Sequence, residues 1–166
     1  MARRYIEVMF EVLAFVYDNY LDRDACPELP VLHRTLNTLG FAHREVETAL
    51  QWLEDLKSAA RLLPVRPAAE KHISSCTAAM RVLTNAEIAK LGVAGWGFLA
   101  FLTSIGTLPG DELELVMERA MAAPCDLLSQ DDLKLIVLMV FWGLAREPDA
   151  LVLDELCEDH SHRQLH

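Results

Sequence analysis

The chain has 166 residues, of which 52% are hydrophobic and 24% charged, enough apolar material for one sizeable core or two small ones and too much for a disordered chain. Its formal net charge of -10 sits in the second half: residues 1–83 hold 10 Lys plus Arg against 11 Asp plus Glu, and residues 84–166 hold 5 against 14. An acidic half repels phosphate backbones, so nucleic-acid contact is disfavoured there and left open only for the nearly neutral first half.

Residues 4–20 place Tyr5, Val8, Met9, Val12, Leu13, Phe15, Val16 and Tyr20 at helical spacing, which predicts an amphipathic helix. Arg3 and Arg4 ahead of apolar residues resemble a signal peptide, but Glu7, Glu11 and Asp18 interrupt the run and no small-residue cleavage site follows. Pro27 and Pro30 fit the first turn of a second helix, about 28–39, which Gly40 ends. A third helix, about 42–59, carries the stripe Val46, Leu50, Leu53 and Leu56. Three such helices match a helix-turn-helix core in order and length. Two short apolar segments, about 61–66 and 79–83, flank a polar stretch and predict a β-hairpin, so the reading for residues 1–83 is a winged-helix-like domain.

Thr84 and Glu87 have capping-box spacing and start a short helix that ends near Gly92. Gly95 opens the next helix, with glycines that allow close packing, and Gly106 closes it. Asp111 and Glu114 begin another, ended by Pro124. Ser129 with Asp132 then caps a helix whose apolar run from Leu135 to Trp142 is uninterrupted by charge. That run is too apolar for a solvent-facing helix and falls short of the roughly 20 residues that cross a bilayer, so it predicts a helix buried on all sides. A last helix spans about 149–159, and residues 160–166 read as a frayed tail. The expected architecture is mainly α, a winged-helix-like half followed by an all-α bundle around one buried helix. The natural cut lies between residues 83 and 84, but no flexible linker marks it, and one shared core stays open.

Several residues along the chain carry a resemblance. Gly40-Phe41 with Glu45, Ala49-Leu50, Trp52-Leu53 and Leu56; Met80-Arg81-Val82 leading into Thr84 and Glu87; Gly97-Phe98-Leu99 and Phe101-Leu102; Glu118-Arg119; Asp132-Leu133-Lys134 with Leu138-Met139-Val140; and the ending Leu165-His166 together resemble the bacterial Smg family over nearly the whole chain. The resemblance implies a cytoplasmic bacterial protein without an established biochemical activity, and it carries over no catalytic or binding residue. Two departures concern the wing: residues 66–79 are longer than a minimal hairpin tip, and Leu83 stands where an aromatic is expected.

Candidate chemistry is sparse. The outer positions of the third helix include Glu45, Glu47, Glu54 and Asp55, the wrong sign for reading DNA. A basic patch of Arg61, Arg66, Lys71 and Arg81 on the wing keeps a nucleic-acid-associated regulator as the alternative. His33, His43 and His72 fall in different elements without a signature partner, and no serine lies in a nucleophile motif, so no catalytic residue and no cofactor is expected. Cys157, Asp159, His160, His162 and His166 gather near the C-terminus as a weak metal-site alternative, set against a floppy tail. Cys26, Cys76, Cys125 and Cys157 are too scattered for a disulfide framework and read as free thiols of a reducing cytosol.

Trp52, Trp96, Trp142, Phe98 and Phe101 suit a core, although Trp96, between two glycines at a helix start, also suits a surface where a partner packs. Arg81 and Arg119 stand in apolar settings that call for a carboxylate such as Glu87 or Glu118. The interaction candidates are therefore Trp96, Phe98, Arg81 and Arg119. The functional expectation is a non-catalytic adaptor or regulator that binds an as yet unspecified protein partner, with no membrane association.

Overall fold

A computed structural model describes residues 2–64 and 81–157. Among these residues the chain forms seven α-helices: α1 (Ala2–Asn19), α2 (Leu29–Thr38), α3 (His43–Leu62), α4 (Asn85–Ser104), α5 (Gly110–Ala122), α6 (Gln130–Gly143) and α7 (Ala150–Cys157). A 3-10 turn at Arg23–Ala25 links α1 to α2.

The helix starts follow from side-chain capping. Thr84 Oγ1 accepts from the Glu87 amide while the Glu87 carboxylate accepts from the Thr84 amide, closing the expected capping box at the start of α4. Ser129 Oγ accepts from the Asp132 amide at the start of α6, where Asp131 and Asp132 also suit the positive helix end.

Every residue of α6 from Leu133 to Gly143 is buried, including the whole charge-free run from Leu135 to Trp142. Its wall is made by α1, α3, α4, α5 and α7, all of which pack on it. The α3 face is especially close: a Cβ on Gly143 would stand 3.2 Å from Leu56 Cγ. Trp142 completes its end by donating from Nε1 to the Tyr20 carbonyl at 2.6 Å. The buried side chains of α1, α2 and α3 belong to the same cluster as those of α4, α5, α6 and α7, so the core is continuous between the two halves of the chain.

Two expectations change. The first hairpin strand, about 61–66, is not present at Arg61 and Leu62, which belong to α3. The reason is local: Ala59 and Ala60 favour helix, Ala60 is buried, and only Pro64 forces Leu63 into extended backbone (φ -78, ψ 141). Among the described residues there is no strand, and residues 81–83 have no regular structure. The rest of the hairpin, with Arg66 and Lys71, and the tail at 160–166 lie outside the described residues.

The break expected near Gly92 is there, with φ 66 and ψ 179 inside α4, a backbone conformation that only glycine adopts without strain. It has a further consequence. By length and composition α4 is apolar enough to cross a membrane, yet its unbroken part after Gly92, residues 93–104, rises only about 18 Å against a hydrocarbon core of about 30 Å.

Candidate docking surface

Both charged residues of α4 are withdrawn from its surface. Lys90 donates from Nζ to the carbonyls of Met121 (2.8 Å) and Ala123 (2.6 Å), satisfying acceptors at the end of α5. Glu87 is held by Arg81, which donates from Nη2 to Oε1 at 2.8 Å and from Nη1 to Oε2 at 3.1 Å. That bond, together with the Thr84 amide, holds the Glu87 carboxyl down at about 2. Arg81 also reaches Glu114 on α5, so it ties the entry of α4 to its neighbour.

What α4 shows outward is therefore uncharged. Val93 (92% exposed), Gly97, Ala100, Phe101 (54%) and Ser104 recur at helical spacing along one stripe, and Ile105 adds to it just past the end. Trp96 lies half-buried along the margin of the stripe. Gly95, on the opposite face, would bring a Cβ to 3.2 Å from Leu133 Cδ2, whereas a Cβ on Gly97 would meet nothing within 4 Å. Only the first of the two glycines flanking Trp96 thus serves close packing against the core.

The exposed charge of described residues 84–157 has one sign. Among described residues 84–157, Lys90, Arg119 and Lys134 are buried. Arg146 is paired with Glu112 and also donates to the Thr107 carbonyl. The exposed charges of that stretch, including Glu114, Glu118, Asp126, Asp149 and Asp154, are acidic.

The other interaction candidates sit deeper. Phe98 is buried with the Lys134 ammonium 5.9 Å from its ring centre. Arg119 is buried against Trp52, and its Nη2 donates to Glu118 at 2.8 Å. Cys157 ends α7, while His160 and His162 lie outside the described residues. The described cysteines, Cys26, Cys125 and Cys157, are free, and burial pushes each thiol above its ordinary range.

A second feature leaves little trace in the sequence. The turn at Gly40 (φ 97) folds α2 back on α3, and the rings of His33 and His43 meet edge to face, 4.7 Å between centres. Glu47, one turn along α3, places Oε1 at 3.4 Å from His43 Nε2. His33 and Glu47 also line an open groove of about 670 Å³ whose wall includes Leu50, Gln51 and Trp52. The only sequence signal was His43 and Glu47 four residues apart, which shares a helix face but does not reveal a third partner from another helix.

A family model described as "Protein of unknown function (DUF494)" matches residues 9–166. A "Protein Smg homolog" of Methylibium petroleiphilum is 46% identical over 159 residues, covering 95% of this chain and all of that protein. The chain belongs to the Smg family. Smg homologues of Leptothrix cholodnii, at 42% identity, and Bordetella avium, at 38%, align over the same share of both chains. No solved structure matches the chain. The family description supplies no activity, so any functional assignment rests on the surface itself.

Proposed function

We propose that this Smg protein is a non-catalytic adaptor or regulator of the bacterial cytosol, which docks a basic partner protein on the uncharged stripe of α4. The observation that carries this reading is an exposed apolar stripe on α4 in a part of the chain, described residues 84–157, whose exposed charges are all acidic. Exposed apolar stripes of this kind favour association, because covering them releases ordered water. The acidic exposed charge of that part of the chain favours a partner with basic residues beside its own apolar contact, through faster encounter and rejection of acidic competitors. Val93, Phe101 and Trp96 are the anchors, since buried aromatic and aliphatic side chains at the centre of an interface dominate affinity. Free, half-buried thiols suit a reducing compartment.

A nucleic-acid role draws less support, because α3 turns Glu47 and Asp55 outward where a recognition helix needs cations.

The test places a photo-crosslinking residue at position 93 of the full chain in cells, with a second probe at exposed Glu28 as control. The expected result is a specific adduct from position 93 whose crosslinked peptide carries Lys or Arg, lost in a Phe101→Glu variant with an unchanged melting temperature. Adducts identical at both positions, self-adducts only, or flotation of the protein with anionic vesicles would reject it.

A further inference from the structure

We infer that His33, His43 and Glu47 form a binding site for a divalent transition metal of the zinc class, held where α2 packs on the start of α3. The ligand atoms of these three residues lie within 4.8 Å of one another. Two imidazoles and a carboxylate are a ligand set that zinc accepts, with the fourth position left for water. The spacing agrees with that geometry. Metal–ligand bonds of about 2.1 Å in a tetrahedron put neighbouring ligand atoms about 3.4 Å apart. His43 Nε2 and Glu47 Oε1 already stand at 3.4 Å.

The third ligand has to come slightly closer, and the exposure of the other two makes that easy: the side chains of His43 and Glu47 are 66% and 59% exposed. His33 is more constrained. It is half-buried, and the Asn37 side-chain amide lies 3.0 Å from its Nδ1. With that amide turned so that its oxygen accepts from Nδ1–H, Nε2 keeps the lone pair a metal needs, the usual outer-shell arrangement of a ligating histidine. His33 and Glu47 also belong to the wall of the groove. A bound ion would also stitch α2 to α3, two helices joined otherwise by apolar packing and the turn at Gly40.

The experiment uses untagged full-length protein, stripped with chelator and titrated with zinc chloride by calorimetry, with Co²⁺ absorption as a second reading of tetrahedral geometry. One equivalent should bind. His43→Ala and Glu47→Gln should each weaken it by at least about tenfold, with circular dichroism showing the helices intact, while a His160→Asn/His162→Asn variant should bind as the parent does. The inference is overturned if no equivalent binds, if the His43 and Glu47 variants bind unchanged, or if only the tail variant loses the metal.

Discussion

Trp52 and Arg119 hold each other from both ends: the Trp52 indole donates to the Arg119 carbonyl at 3.1 Å, and the Arg119 guanidinium donates to the Trp52 carbonyl at 3.4 Å. The guanidinium also stands 5.8 Å from the indole centre, stacked in cation–π range. This pair joins α3 to α5 across 67 residues of chain. Its weak point is Arg119 Nε, buried with no hydrogen-bond partner among the described residues.

Removing the arginine therefore has two separable effects. Arg119→Ala is expected to cost about 2–4 kcal/mol, from the void and from the lost guanidinium hydrogen bonds. Arg119→Met refills much of the volume and removes the unpartnered Nε, so about 1 kcal/mol is expected. Urea unfolding distinguishes them: equal losses for both variants would mean that the hydrogen bonds, not the packing, carry the contact.

The glycines of α4 should separate by environment. Gly92→Ala forces a Cβ onto positive φ and is expected to cost about 1–3 kcal/mol. Gly95→Ala crowds Leu133 and should cost about 1 kcal/mol, whereas Gly97→Ala points into open space and should stabilise by about 0.5–1 kcal/mol. Thermal unfolding checks the order, and a destabilising Gly97→Ala would contradict the exposed placement of the stripe.

Acid should loosen the start of α4. The Glu87 carboxyl is held at about 2, below its ordinary 4.5, because Arg81 and the Thr84 amide favour its charged form. The folded protein thus binds fewer protons here than the unfolded chain, so this contribution is fully present above pH about 4.5 and is lost as the pH falls toward 2. Urea midpoints measured through that window should fall less steeply in Glu87→Gln than in the parent. Parallel slopes would remove the ion pair from the account.

The buried helix makes a sharp contrast with a surface position. Leu138→Ala, at 0% exposure, should cost about 2–5 kcal/mol. Leu151→Ala, at 85% exposure, should stay within about 0.5 kcal/mol. Chemical denaturation of the two variants checks both values, and similar losses would refute the burial pattern.

Local signals are most legible where one short-range rule governs. The capping residues Thr84 and Ser129 could be found because each needs only a partner three residues away. The expected strand at Arg61 and Leu62 gives way to helix because short apolar segments fit helix and strand alike, and α3 continues to Leu62, ahead of Pro64. Lys90 shows a different limit: its partners are carbonyls 31 and 33 residues away, so its inward turn left no trace in the neighbouring sequence.

By itself the sequence determined most of the helices, the caps at Thr84 and Ser129, the break at Gly92 and the complete burial of α6, because periodicity, capping and an unbroken apolar run act over a few residues. Tertiary structure alone decided that Arg119 meets Trp52, that His33 meets His43, and that α4 shows a neutral stripe outward. Those outcomes depend on which helix faces pack together, a choice made by the whole core at once and not by any single segment.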